Sequence, residues 1–170
     1  MSERKPAGWG LPLPVVPSTG NPCFEHACSA CCHDTEMILT EDDVQRIEGF
    51  LAADAEAARR LTAGEIWWRT AGDGFMELCT KAAPPAMPGP GRPCVFLETE
   101  GRCGVHAVRP EGCRLYPATW DEGLRRAVLD DDCPHTEAFR IPRATGDAVR
   151  RLAQRLEAER TARRKTIPHA

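Results

Sequence analysis

A chain of 170 residues is long enough for one domain with a modest core. Its formal charge of -3 makes no strong overall case for a nucleic-acid or membrane partner, and no apolar run is long enough to span a bilayer. Aromatics are 6% of residues, beside 14 glycines and 15 prolines, so much of the chain must be loop or turn and needs support beyond large core side chains.

Residues 1–22 read as an extended Pro-rich arm. Pro12, Pro14 and Pro17 interrupt its only apolar stretch, which speaks against a secretory signal and predicts a cytoplasmic protein. The stretch "PCFEHACSACCHD" follows, carrying Cys23, Cys28, Cys31 and Cys32. In a reducing cytosol, thiols crowded like this are more often metal ligands or catalytic groups than crosslinks. Nine cysteines is an odd number, which argues against a complete disulfide set, and Cys31 and Cys32 could bridge each other only through a strained ring. Metal is the better reading, because binding free energy at a structural site becomes folding free energy.

Beyond this first group, "TEMIL" at 35–39 suits a short strand. Thr40 and Asp43 stand at capping-box spacing, Glu41 and Asp42 favour the positive start of a helix, and Val44, Ile47 and Leu51 supply one apolar face. "EIWWRTA" and "FMELC", separated by Gly72-Asp73-Gly74, predict a hairpin on which Trp67 and Trp68 cannot both face inward. Residues 82–93, "AAPPAMPGPGRP", can sustain neither helix nor central strand and are read as a linker. "CVFLE" followed by "GRCGVH" predicts a second hairpin. A last helix is expected from near Thr145 to near Arg164, with Val149, Leu152, Ala153 and Leu156 on one face.

Cys94, Cys103, Cys113 and Cys133 form a second group, leaving Cys79 apart as a small buried hydrophobe. The eight grouped thiols would fill two tetrahedral sites, one four-iron cluster plus one zinc, or a larger polynuclear centre. Side chains alternate along an extended segment, so Cys31 and Cys32 could serve different metal atoms. His106 lies at Cys-x-x-His spacing from Cys103 but is read first as a packing or hydrogen-bonding residue, and His26, His33 and His135 at most as supports for the ligands. Arg109 and Arg114 flank Cys113, where positive charge would offset a four-thiolate site and favour thiolate ionisation.

The segment "RRLAQRLEAERTARRK" raises nucleic-acid binding, since clustered cations neutralise phosphates. Glu157 and Glu159 interrupt the positive face, however, and a solvated helix docked by its apolar side is more economical. No Gly-rich phosphate loop, Ser-His-Asp order or HExxH signature is present, nor the CxxxCxxC spacing of radical enzymes. An enzyme built on this chain would have to work through the metal itself.

Cys28-x-x-Cys31-Cys32, followed by a short strand and "LTEDDVQRI", then "CVFLETEGRCGVHAVRPEGCRLYP" and finally "CP", resembles the YkgJ-type cysteine-cluster (CxxCxxCC) family over residues 23 to 135. The more specific block carries Cys94, Phe96, Leu97, Cys103, Arg109, Pro110, Cys113, Arg114, Tyr116 and Pro117. In the first block Glu25 stands where the family's short form has its first cysteine, and the resemblance then points to Cys23 for that ligand. It implies a zinc- or iron-chelating protein. One branch of the family resembles flagellin lysine methylases, so a metal-dependent protein-modifying enzyme is the alternative, with a nucleic-acid-binding zinc module behind it.

These readings predict an α+β fold: a small, loop-rich, metal-stabilised single domain with short antiparallel strands, a helix after the first cysteine cluster and a C-terminal helix. The arm covers 1–22, the cysteine-cluster metal-binding domain 23–142, and the basic helix and tail 143–170. Expected metal ligands are Cys23, Cys28, Cys31, Cys32, Cys94, Cys103, Cys113 and Cys133. The expected cofactor is zinc or iron, with a 4Fe-4S cluster among the forms iron could take. A metal ion is the expected partner, a membrane is not, nucleic acid is disfavoured, and the sequence names no protein partner or substrate.

Overall fold

A computed structural model describes residues 16–17, 27–34, 37–54, 56, 67–79, 93–98 and 101–166. Cys23, most of the Pro-rich arm and the linker up to residue 92 lie outside the described residues. In chain order the elements are β1 (Val16–Pro17), α1 (Cys31–Asp34), β2 (Ile38–Leu39), α2 (Glu41–Ala53), β3 (Trp68–Thr70) and β4 (Met76–Leu78). There follow α3 (Glu111–Leu115), β5 (Ala118–Asp121), β6 (Arg126–Leu129), β7 (Phe139–Arg140) and α4 (Arg143–Thr166). All strand pairs are antiparallel, in small sheets ordered β2-β4-β3, β5-β6 and β1-β7. The fold is α+β, with a helix after the first cysteine cluster and another at the C-terminal end.

The expected capping box forms at the start of α2. Thr40 Oγ1 accepts the Asp43 N–H at 3.1 Å, and Asp43 Oδ2 accepts the Thr40 N–H at 3.0 Å. Two donors at the helix start that would otherwise lack partners are thereby satisfied. Val44, Ile47 and Leu51 are buried, as their spacing requires. They pack with Leu39, Trp67, Met76 and Val105 in a first hydrophobic cluster. Trp67 is 6% exposed and Trp68 half-buried, so the two rings divide between inside and outside as strand alternation demands. The β3–β4 hairpin turns through Gly74, whose φ of 94° is open to glycine at little steric cost.

A second cluster lies beneath α4: Leu115, Ala118, Cys133, Phe139, Val149 and Leu152. Its sheet, β5–β6, is a hairpin that sequence pattern did not signal. Asp121 Oδ1 accepts the Leu124 N–H at 2.8 Å and Arg125 adopts a φ of 50°, so the turn is made by an aspartate and a left-handed arginine, without an Asn-Gly or Asp-Gly pair. The α4 helix starts two residues before the expected Thr145 and buries Val149 and Leu152, with Leu156 packed beside them. Its far half reaches back to the first cluster. Arg155 pairs with Asp42 at 2.5 Å, Glu159 Oε2 accepts the Glu41 N–H at 2.9 Å, and Arg163 donates to the Gly74 carbonyl at 2.7 Å.

Two local expectations change. Cys31 and Cys32 lie on the helical turn α1, not on an extended segment, so their side chains diverge by about 100° instead of 180°. The hairpin expected from "CVFLE" and "GRCGVH" is reduced to an isolated bridge between Leu97 and Cys103. Its strands are too short because both ends are drawn into the tight turns described next.

Candidate metal centre

Three cysteines of the second group sit in the same local structure. The carbonyl of Cys94 accepts the Leu97 N–H at 3.0 Å, that of Cys103 the His106 N–H at 3.1 Å, and that of Cys133 the Thr136 N–H at 3.3 Å. Each turn also aims the N–H two residues on at the cysteine sulfur. The Phe96 N–H lies 3.4 Å from Cys94 Sγ, and the backbone N–H groups of Val105 and His135 bond the sulfurs of Cys103 and Cys133. An N–H donated to sulfur favours the thiolate, the form that binds metal. The fourth, Cys113, is held differently, within α3.

Asp43 fixes α3 in place. Besides capping α2, its Oδ1 accepts the Glu111 N–H at 3.0 Å and pairs with the Arg46 guanidinium. Arg46 in turn donates to the carbonyls of Val108 at 3.3 Å and Arg109 at 3.1 Å. This carboxylate is 1% exposed, so its charge is tolerable only because these donors surround it. Its cap role is legible at the level of sequence. Its second role is not, because nothing local links position 43 to position 111.

The two cysteine groups meet. The Cys94 N–H donates to the Cys32 carbonyl at 2.6 Å, which sets the end of the second group's first turn directly on α1. Cys133 is buried, and Cys28, Cys31, Cys32, Cys94, Cys103 and Cys113 are half-buried. Burial pushes Cys113 far above the ordinary thiol range, and the charges of Cys94, Cys32 and Cys103, then Asp43, push it further. Burial also raises Cys103, opposed by the Val105 N–H; Cys32 raises it further and Arg109 lowers it. Cys133 is raised by burial, lowered by the His135 N–H and raised by Cys28. Cys32 is depressed, to about 7, because the Cys31 thiol donates a hydrogen bond to it against the opposing effect of burial.

Crowded thiols that resist joint ionisation are a donor set suited to a cation, whose charge reverses the local balance and deprotonates coordinating thiols. Zinc and iron-sulfur centres take four thiolates of this kind. The chemistry of the residues therefore fits. Among the described residues no three His, Cys, Asp or Glu side chains stand close enough together to hold a metal ion as they are, so binding requires the sulfurs to close in. Zinc–sulfur bonds are about 2.3 Å long.

The remaining candidates divide clearly. His106 is exposed, and its Nε2 meets the Arg109 guanidinium; burial and then the charges of Arg109 and Arg114 lower its pKa, in keeping with hydrogen bonding. Arg114 donates to the Ala107 carbonyl at 3.2 Å and so braces the loop before α3. Cys79 is half-buried, more open than a core hydrophobe, and its pKa is raised by burial. No described helix is long and apolar enough to cross a membrane. The three backbone donors on sulfur were missed in the sequence, since Phe96, Val105 and His135 have no side-chain chemistry in common.

No curated protein and no solved structure matches the chain. The family comparison does identify it, and over the segment that contains all the turns and thiols above. A family model described as "CxxCxxCC: Putative zinc- or iron-chelating domain" matches residues 22–136, and the chain belongs to that family.

Proposed function

We propose that the protein chelates zinc or iron through Cys28, Cys31, Cys32, Cys94, Cys103, Cys113 and Cys133, with Cys23 as a further ligand, and that at least one centre is an iron-sulfur cluster. The observation that carries this reading is the 2.6 Å hydrogen bond from the Cys94 N–H to the Cys32 carbonyl, which joins two thiol groups about sixty residues apart in sequence. Iron in such a cluster would supply one-electron redox chemistry, whereas zinc would supply cross-linking alone. The chain's own contribution is positional. A backbone N–H is donated to the sulfur of Cys94, others offset part of the burial that disfavours the thiolates of Cys103 and Cys133, Arg109 adds positive charge beside Cys103, and Asp43 with Arg46 anchors the helix that carries Cys113.

Protein purified without oxygen is expected to be brown, to contain iron with acid-labile sulfide, and to bleach with dithionite. Colourless anaerobic protein with stoichiometric zinc and no sulfide would remove the iron preference and leave a zinc chelator. Cys113→Ser should lower bound metal in either case. Cys79→Ser should leave it unchanged, because Cys79 stands outside both groups.

A further inference from the structure

Gly112 stands inside the helix that carries Cys113, where glycine is a poor choice for the helix itself. Its φ lies outside the left-handed region, so the backbone conformation does not call for it. Space does. A Cβ built on Gly112 would collide with the sulfur of Met37 and lie 3.5 Å from its Cε and 3.9 Å from its Cγ. Met37 is held from behind: its carbonyl accepts the Leu78 N–H at 2.8 Å, it leads directly into β2, and its side chain packs against the cluster beneath α2. The helix α3 is held just as firmly. Asp43 grips the Glu111 N–H on one side of Gly112, and two residues beyond Cys113 the side chain of Leu115 is buried in the cluster beneath α4. The bare backbone of Gly112 is therefore the face on which α3 rests against Met37, one residue from Cys113.

We propose that Gly112 is a positioning residue for the metal centre: having no side chain, it lets α3 seat against Met37, and that seating sets where the Cys113 sulfur is delivered. This rests on the reading of Cys113 as a metal ligand and adds what places it. Gly112 acts through Cys113, not by touching the metal. The Asp43 grip fixes the start of α3, and the contact at Gly112 fixes how closely the helix approaches Met37 and β2. Alanine at 112 would favour the helix yet hold it away from Met37, so Cys113 would be displaced although its own helix gained stability.

Cobalt(II) added anaerobically to the full chain tests this, because its sulfur-to-metal charge-transfer absorption grows with the number of thiolates bound. Per folded chain, Gly112→Ala is expected to lose as much of that absorption as Cys113→Ser, and the two changes together no more than Cys113→Ser alone. Met37→Ala added to Gly112→Ala should restore the wild-type absorption, since the new methyl group takes the space that the thioether leaves. A Gly112→Ala chain with the wild-type spectrum, a loss that adds to that of Cys113→Ser, or a loss that Met37→Ala does not reverse would overturn the proposal. If Gly112→Ala does not fold, the double variant with Met37→Ala decides: it must fold and show the wild-type spectrum. A wild-type chain with no thiolate–cobalt absorption, or one in which Cys113→Ser changes nothing, would instead overturn the reading of Cys113 as a ligand.

Discussion

Beneath α2, buried side chains come from residue 39, from 44 to 51, from 67 and 76, and from the loop at 105; beneath α4 they come from one stretch, residues 115 to 152. The first cluster is tied together by long-range polar contacts such as Glu111 N–H to Asp43 and Arg46 to the Val108 carbonyl, 68 and 62 residues apart. The second is built from a hairpin, a short turn and a helix that succeed one another along the chain. Local contacts form at small loop-closure cost, whereas the long-range ties must offset a larger one. Apolar burial thus explains much of the C-terminal cluster. The cluster beneath α2 has a buried carboxylate among its ties and Cys103 packed against it.

Metal removal should break this asymmetry most strongly. Thiolate centres contribute on the order of 10 kcal/mol of apparent binding energy, comparable with the whole stability of a small domain. Chelation is expected to abolish amide protection first in the loop 94–105 and in α3, and last in α4; uniform retention of protection and of the thermal midpoint would show that the α2 cluster stands without metal. Asp43→Ala comes next. It leaves Arg46 without its carboxylate and unties both α2 and α3, and should cost about 3–5 kcal/mol in urea unfolding, the range for breaking a buried charge pair. It should also weaken metal retention more than a purely apolar defect of equal size in the other cluster.

Leu152→Ala provides that control. Leu152 is 9% exposed beneath α4, in the cluster that also holds Cys133, and its truncation should cost about 2–4 kcal/mol and lower bound metal less than Asp43→Ala does. A proportional loss of metal would mean that the two clusters are one cooperative unit. The smallest effect is expected for Arg155→Ala, which removes the ion pair to Asp42 that links α4 to α2. Asp42 is exposed and Arg155 half-buried, and the pair to Glu159 lost with it lies within α4, so the loss should stay at about 1 kcal/mol and shrink at high salt.

What could be read in advance follows the same division between local and distant causes. The capping box, the apolar face of α2, the β3–β4 hairpin and the buried side of α4 are set by residues within a few positions of one another, and all were legible. The β5–β6 hairpin was not, because its turn depends on Arg125 taking a left-handed conformation that no Asn-Gly signal announces. Nor was the helical turn at Cys31 and Cys32, only one turn long and lying among residues that propensity leaves undecided. The cysteines themselves stood out by type and spacing. That Cys94 meets Cys32 is a tertiary fact, set by a backbone hydrogen bond between them and by the double duty of Asp43.

The three N–H groups directed at sulfur belong to the main chain, which changes how such a feature would be inherited. Phe96, Val105 and His135 could each be exchanged during divergence without losing the hydrogen bond, as far as packing allows, since every residue except proline carries the same donor. Drift at these positions is therefore chemically silent at the sulfur. A proline at any one of them would remove a donor outright, and a lineage that kept its cysteines while gaining one would retain the ligand and lose part of its tuning.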